Sequence, residues 1–164
     1  MRPLRVGRVT LSDRASAGIY EDRSGPEIER VFQECWGSPC EFVVRLLPDE
    51  VDSIANALRE LSGADDCALV ITTGGTGPSP RDVTPEATRA VLEKELPGFG
   101  EVMRMRSFEK VPTAILSRAI AGVRGETLIV NLPGNPKAIG ECLPLLIPAI
   151  AEALRHLGRL SEGV

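Results

Sequence analysis

Several residue types that carry common enzyme chemistries are scarce in this sequence. Among 164 residues there is one histidine, and the four cysteines form no C-x-x-C pair. A Ser-His-Asp triad and a histidine-containing zinc site therefore lack candidate residues. We expect the cysteines to be reduced and buried, because their spacing indicates neither a metal nor a redox site. His156 is expected at the surface, at the end of a last helix.

Excess positive charge and long apolar segments are also lacking. The formal net charge is −4, so no basic field attracts a polyanion and nucleic-acid binding is disfavoured. No stretch approaches the roughly 20 apolar residues that a membrane span requires, and the first residues lack a secretory apolar region. We therefore expect a cytoplasmic protein that binds neither nucleic acid nor membrane. Any phosphate recognition must be local.

Strand and helix patterns alternate along most of the chain. This alternation predicts an α/β fold, with a doubly wound, mostly parallel sheet and helices on both faces. A length of 164 residues with 43% hydrophobic residues fits a single domain over residues 1–164. The predicted strands span residues 4–11, 42–47, 68–73 and 127–132. The predicted helices span residues 24–36, 51–62, 85–96, 99–108, 113–121 and 139–157.

Local signals predict how some of these helices begin and end. Ser24 and Glu27 have the spacing of a capping box, and Thr84 is placed as the N-cap of the helix that follows it. Asp49 has two interpretations, as an N-cap or as a functional acid. A proline inside a helix costs about 3 kcal/mol, so we expect a break or kink in the last helix near Pro144.

A glycine-rich turn after the third strand is the most informative stretch. Three glycines occupy positions 74–77, and the missing Cβ atoms allow several N–H groups to turn toward one anion. The turn is not a nucleotide-triphosphatase loop, because Pro78 stands where lysine is required, and it does not fit the dinucleotide fingerprint. Asp82 follows at the carboxyl end of the sheet, where α/β folds bind ligands. The residues indicate a phosphate site, with a glycine-rich connection without ligand as the alternative.

Five motifs occur in one order along the chain. They are Ser12-Asp13, Leu47-Pro48-Asp49, Thr73 to Gly77 with Asp82 to Pro85, Ile115 to Arg118, and Asn131 to Gly134. Together they resemble the molybdopterin adenylyltransferase family, the Mog-type proteins of molybdenum cofactor biosynthesis, which is similar to the G domain of gephyrin. The resemblance covers nearly the whole chain.

This resemblance implies an activity and its ligands. The expected reaction transfers AMP from Mg-ATP to the terminal phosphate of molybdopterin and releases pyrophosphate. The family also implies Mg²⁺ as cofactor, a homotrimer, and hand-over of the product to a molybdenum insertase. Two alternatives stay open: a MoaB-type or insertase-like sibling that handles another step of the pathway, and a scaffold that binds the pterin without catalysis.

The resemblance also implies roles for particular residues. Asp49 and Asp82 correspond to the catalytic acids, and carboxylate oxygens suit magnesium, so both are expected as metal ligands. Candidates for phosphate contacts are Arg81, Arg118 and Lys137, with solvated surface charge as the alternative for each. The residues expected to bind nucleotide and phosphate are Ser12, Asp13, Gly74, Gly75, Thr76 and Gly77. The residues expected to bind the pterin are Ser117, Arg118, Asn131, Pro133, Gly134 and Lys137.

Overall fold

One six-stranded sheet forms the centre of the protein, in the order β2-β1-β3-β6-β5-β4. The computed structural model describes residues 2–161. Strands β2, β1, β3 and β6 are parallel, whereas β5 and β4 are antiparallel to their neighbours. The strands are β1 Leu4–Leu11, β2 Cys40–Leu47, β3 Leu69–Thr73, β4 Lys94–Glu95, β5 Ala121–Arg124 and β6 Thr127–Leu132. The predicted α/β fold with a mostly parallel sheet is confirmed.

Helices cover both faces of this sheet. The helices are α1 Asp13–Ser16, α2 Ser24–Trp36, α3 Val51–Ser62, α4 Thr84–Val91, α5 Gly98–Phe108 and α6 Pro136–His156, with a 3₁₀ helix at Pro112–Leu116. Buried side chains of α2, α5 and α6 pack on one face, and those of α3 and α4 pack on the other. None of the helices within residues 2–161 is long and apolar enough to cross a bilayer.

The buried strand β3 determines where a ligand can bind. All five residues of Leu69–Thr73 are buried, as expected for an apolar strand covered on both faces. Its neighbour β1 also pairs with β2 on the opposite side. The strand order therefore reverses between β1 and β3, and open α/β sheets bind ligands at the carboxyl ends of the strands at such a point.

The antiparallel edge of the sheet was not predicted. The expected helix over residues 85–96 ends at Val91, and Lys94–Glu95 is a strand. The expected helix over residues 113–121 is also wrong, because only Pro112–Leu116 is helical, in the 3₁₀ form, and β5 begins at Ala121. Strand β5 forms a hairpin with β6 through Gly125, whose φ is +57°. Tertiary pairing with the sheet outweighs the weak local helical pattern there.

Three side chains that were expected to cap helices make other contacts. Ser24 lies inside the first turn of α2, and its hydroxyl donates to the carbonyl of Gly134 at 2.6 Å. Helix α3 begins without a side-chain cap, so Asp49 is free for another role. Thr84 is the first residue of α4 rather than its N-cap, and its hydroxyl donates to the carbonyl of Gly74 at 2.9 Å. The capping predictions for Ser24 and Thr84 are therefore wrong, and the N-cap interpretation of Asp49 is wrong as well.

The last helix is continuous from Pro136 to His156. The expected break near Pro144 is wrong, since α6 continues through both Pro144 and Pro148. Its inward face buries six side chains, and fully burying one large apolar side chain stabilises by about 1.5–3 kcal/mol. This burial outweighs the cost of prolines that lie on the exposed face. The six buried residues are Ile139, Cys142, Leu143, Leu146, Ile150 and Leu154.

The scarce residues lie away from the crevice between β1 and β3. All four cysteines are free, which agrees with the prediction. Cys67 and Cys142 are buried, but Cys35 is exposed and Cys40 is half-buried, so the prediction that all four are buried is wrong. His156 is exposed in the last turn of α6, as expected.

Candidate functional site

A cavity of about 560 Å³ opens at the carboxyl ends of β1 and β3. We call it the first cavity. Its wall contains both acids that the sequence singled out, Asp49 and Asp82, together with loop 20–24. The other predicted site residues that line it are Ser12, Gly74, Gly75 and Gly134. Three predicted nucleotide residues, Ser12, Gly74 and Gly75, therefore meet the predicted acids at the place that the topology favours. Gly134, which was predicted to bind the pterin, lies there as well, whereas Asp13 does not line this cavity.

The glycine loop, residues 74–77, bends sharply over the end of β1. Gly74 and Gly75 have φ values of +96° and +67°, which disfavour any residue with a side chain. A Cβ on Gly74 would lie 2.4 Å from the carbonyl oxygen of Leu11, and a Cβ on Gly75 would lie 2.3 Å from Thr84 Oγ1. Both conformation and space therefore require glycine here, and the loop presents backbone rather than side chains to the cavity.

Asp49 and Asp13 hold each other through their backbones. The N–H of Asp13 donates to Asp49 Oδ2 at 3.1 Å, and the N–H of Asp49 donates to Asp13 Oδ1 at 3.0 Å. Arg81 donates two further bonds to the Asp13 carboxylate, both of 2.9 Å. The other oxygen of Asp49, Oδ1, is buried and has no hydrogen-bond partner. This arrangement fixes the Asp49 carboxylate and leaves one oxygen for a ligand.

The two acids of this pair have opposite electrostatic environments. The pKa of Asp49 is raised above its ordinary value, mainly by burial, with a further contribution from the negative charges of Asp13 and Asp82. The pKa of Asp13 is lowered, mainly because its carboxylate accepts hydrogen bonds from Arg81. An ionised carboxylate that is partly buried beside two other acids raises the free energy of the folded protein, unless a cation lies close to it. Asp49 is therefore the acid that a metal ion would stabilise most.

Asp82 is fixed by the segment that precedes it. The N–H of Ser79 donates to Asp82 Oδ2 at 3.0 Å, and a Cβ on Gly77 would lie 2.8 Å from the same oxygen. Residues 2–161 contain no cluster of three or more histidine, cysteine or acidic residues suited to a metal ion. Magnesium fits two carboxylates nevertheless, because it usually keeps several waters and takes its remaining ligands from substrate phosphates.

A second cavity of about 300 Å³ lies on the other side of the glycine loop. Predicted site residues line it as well: Thr76, Gly77, Ser117 and Pro133. Apolar side chains, among them Met103 and Val111, form another part of its wall. Gly74 and Gly75 line the first cavity, whereas the next two residues line the second, so the loop separates two neighbouring cavities.

Three predicted pterin-binding residues, Arg118, Asn131 and Lys137, line neither of these cavities. Asn131 is completely buried; its amide donates to Thr72 and Thr88 at 3.0 Å each and accepts from the N–H of Ile120. These bonds join β6 to β3, to α4 and to the segment before β5, and leave the side chain no exposed surface. Lys137 is exposed at the start of α6.

Sequence reasoning missed one wall of the first cavity. No function was assigned from sequence to the polar residues between Asp13 and Ser24, but Tyr20 and Asp22 line the cavity. Arg8, on β1, donates to the carboxylate of Asp22 at 3.1 Å, and Thr10 donates to it at 2.9 Å. Arg8 between the buried residues Gly7 and Val9 was the available signal, because a charged residue among buried neighbours requires a partner.

Known proteins resemble this chain over most of its length. A family model described as "Probable molybdopterin binding domain" matches residues 7–152. A protein of Helicobacter pylori named molybdopterin adenylyltransferase is 53% identical over 92% of this chain and 85% of its own length. The family match extends across the two acids, the glycine loop and the turn before α6.

Solved structures of similar proteins share the fold. The molybdopterin biosynthesis enzyme MoaB of Thermus thermophilus matches with a TM-score of 0.86 and 43% identity, over 94% of this chain and 96% of its own. The molybdopterin biosynthesis Mog protein of Mycobacterium ulcerans matches with a TM-score of 0.86 and 36% identity, over 94% and 99%. The fold alone therefore does not separate the two kinds of protein.

Proposed function

The chain belongs to the family of probable molybdopterin binding domains, and on that basis we propose that it is a molybdopterin adenylyltransferase. It is a nucleotidyltransferase that uses ATP to adenylylate molybdopterin in molybdenum cofactor biosynthesis. The 53% identity to a relative that bears this name supports the proposal. The adenylylated pterin then passes to a molybdenum insertase.

The two cavities provide separate places for the two substrates. The first cavity takes the nucleotide, since its glycine-lined wall allows close approach to phosphates and Asp49 and Asp82 stand beside it. Helix α6 begins at Pro136 in the same wall, and the positive end of its dipole favours negative charge. The second cavity, with its apolar side chains and Ser117, takes the pterin. The reacting phosphates meet beside the glycine loop, which lines both cavities.

The transfer requires positioning more than proton transfer. A terminal phosphate oxygen of molybdopterin forms a bond to the α-phosphorus of ATP, and the bond from that phosphorus to the bridging oxygen breaks. The electron pair leaves with pyrophosphate. Because the pterin phosphate is already a nucleophile, no general base is needed, and holding the two phosphates in line is the main contribution of the protein.

Asp49 and Asp82 are the residues that would hold Mg²⁺. The main support for this role is the Oδ1 atom of Asp49, which is buried and has no hydrogen-bond partner. It lies close to Gly75, and the charge of Asp82 raises the pKa of Asp49. A bound Mg²⁺ supplies positive charge that neutralises the phosphates. Asp13 holds the carboxylate of Asp49 in place, and Arg81 neutralises Asp13.

The direct test is to incubate the protein with molybdopterin, ATP and Mg²⁺. We expect release of pyrophosphate and formation of adenylylated pterin, with loss of both in Asp82→Ala and Asp49→Ala. Asp52→Asn, an exposed acid on α3, is the control and should retain activity. Failure of the wild-type protein to adenylylate molybdopterin would contradict the proposal. Turnover of adenylylated pterin with molybdate instead would favour the MoaB-type or insertase-like alternative.

We also propose that the chain forms a homotrimer. Large apolar side chains are exposed on α5, on the 3₁₀ helix and just before it, and on α6. Extended apolar surface of this kind is typical of protein interfaces. We call this the α5 surface. It consists of Val102, Met105, Phe108, Val111, Ile115, Leu116 and Leu145.

A further inference from the structure

Arg118 contacts the glycine loop and the segment after it through four polar groups. Its backbone N–H donates to the carbonyl of Thr76 at 2.8 Å. In the side chain, Nε donates to the carbonyl of Gly77 at 2.9 Å, and Nη2 donates to the carbonyl of Asp82 at 2.8 Å. The third nitrogen, Nη1, forms an ion pair with Glu86 on α4. One residue thus binds both ends of the segment 77–82.

The segment between those carbonyls determines where the Asp82 carboxylate points. The N–H of Asp82 donates to the carbonyl of Ser79 at 2.9 Å, and the N–H of Ser79 returns a bond to Asp82 Oδ2. The residues in this turn, from Pro78 to Arg81, are exposed, and the side chain of Arg81 also bonds to the Asp13 carboxylate. The guanidinium of Arg118 joins the two ends of the turn to each other, whereas Arg81 joins the turn to Asp13.

We infer that Arg118 is a positioning residue for Asp82, and this inference rests on the proposed function. Each of its three side-chain nitrogens has an acceptor within the protein, and Arg118 lines neither cavity. A guanidinium is a planar fork that can hold two carbonyl oxygens in a fixed relation, whereas an ammonium cannot. Arg118 therefore acts on the nucleotide side through the backbone, rather than on the pterin by direct contact.

The variants Arg118→Lys and Arg118→Ala test this role, with Glu86→Gln as the matched control. Glu86→Gln removes the ion pair but leaves both bonds to the carbonyls of Gly77 and Asp82. For both Arg118 variants we expect kcat to fall about 10- to 100-fold, since a displacement of about 1 Å at a reacting centre has an effect of that size. The Mg²⁺ concentration for half-maximal rate should rise, while the KM for molybdopterin stays unchanged. Glu86→Gln should behave as wild type.

Two results would overturn the inference. A selective rise in the KM for molybdopterin would show that Arg118 contacts the pterin. Unchanged kinetics in both Arg118 variants, together with a lower Tm, would show a merely structural role. Restoration of the Arg118→Ala rate by added guanidinium would support the inference, because the free ion can occupy the same site; rescue should be absent in Asp82→Ala.

Hydrogen exchange tests the same role without turnover. The backbone amides of Ser79 and Asp82 should exchange faster in both Arg118 variants than in wild type or Glu86→Gln, because their turn loses the contact that holds its ends. Equal exchange in all four proteins would contradict the inference. Absence of adenylylation by the wild-type protein, with faster exchange in the Arg118 variants, would refute the proposed function and leave the positional role intact.

Discussion

At the end of β2, the Asp49 carboxylate occupies a position that is unfavourable for its own charge. One oxygen is buried without a partner, and two other acids stand close enough to raise its pKa. Natural proteins tolerate such arrangements where function requires them, at the expense of stability. We therefore expect the Asp49 carboxylate to lower the stability of the metal-free fold and to be required for activity.

The pH dependence of this effect follows from the raised pKa of Asp49. Below its ordinary pKa of 3.8, the carboxyl group is protonated in the folded and the unfolded chain alike. As pH rises above that value, the unfolded chain loses its proton first, so the free energy of unfolding decreases until the folded carboxyl group has also ionised. At neutral pH, the ionised Asp49 therefore destabilises the metal-free fold.

We predict that Asp49→Asn stabilises the metal-free protein at neutral pH and abolishes adenylylation. The amide oxygen can still accept from the N–H of Asp13, and the amide nitrogen replaces the buried, unpartnered oxygen. Urea denaturation in the presence of a chelator should show a higher free energy of unfolding for Asp49→Asn than for wild type at pH 7, and this difference should disappear near pH 3. Asp52→Asn is the control and should show no such gain. A destabilised Asp49→Asn at pH 7 would contradict the electrostatic argument.

Gly74 can be distinguished from a glycine that requires only its backbone conformation. Gly37 ends α2 with φ of +72°, and a Cβ added to it would meet no atom within 4 Å, whereas a Cβ on Gly74 would also face a backbone oxygen at 2.4 Å. Gly37→Ala should cost about 1 kcal/mol from the left-handed conformation alone. Gly74→Ala should lower the free energy of unfolding by more than that, because the carbonyl of Leu11 must also move. The Gly74→Ala variant should also lose activity. Equal unfolding free energies for the two variants would contradict the steric argument.

Among the elements, the parallel strands and most helices could be predicted from sequence. The run Leu69–Thr73 is apolar and β-branched, and α2 and α3 carry apolar stripes at helical spacing. These patterns reflect burial against the sheet, so each can be recognised within one segment. Strands Lys94–Glu95 and Ala121–Arg124 could not be recognised in this way, because they are short and depend on pairing with each other and with β6.

The prolines of α6 offer a test of how packing outweighs local preference. Pro144 lies on the exposed face of a continuous helix, so Pro144→Ala should restore a backbone hydrogen bond without disturbing the core. An interior proline costs about 3 kcal/mol, and greater freedom of the unfolded chain offsets about 1 kcal/mol of the gain. We expect a net stabilisation of about 2 kcal/mol by urea denaturation. Pro136→Ala, at the first position of the helix, should give no gain; equal effects would contradict this interpretation.

Across the whole molecule, the motifs and their order could be recognised from the sequence, but the way in which they are divided between two cavities could not. Sequence indicated Asp82 as a site residue because it follows β3 and its glycine-rich turn, whereas Ser12 and Asp49 were assigned through the family resemblance. It also treated Asn131 and Lys137 like Ser117, although one is buried and another is exposed away from both cavities. Whether a polar side chain meets a cavity or an internal partner depends on contacts between distant segments, such as those of Asn131 with Thr72 and Thr88.

Assembly should depend on the α5 surface. Phe108 on this surface is 48% exposed, and Val44 on the edge strand β2 is 46% exposed, so the two offer a matched pair. We predict that Phe108→Asp dissociates the homotrimer in sedimentation experiments, because it places a charge in an apolar interface, and that Val44→Asp does not. Dissociation by Val44→Asp, but not by Phe108→Asp, would contradict this prediction and would place the interface at the edge strand β2.

The glycine loop forms a partition between the first and the second cavity, and this partition has a kinetic consequence. The product carries AMP and pterin in one molecule, so it must reach across the partition and fill both compartments at once. Each substrate needs only one of them. The product should therefore inhibit competitively against ATP and against molybdopterin, as initial-rate measurements would show. Turnover would then depend on how quickly another protein removes the product, which gives the acceptor control over the flux through this step.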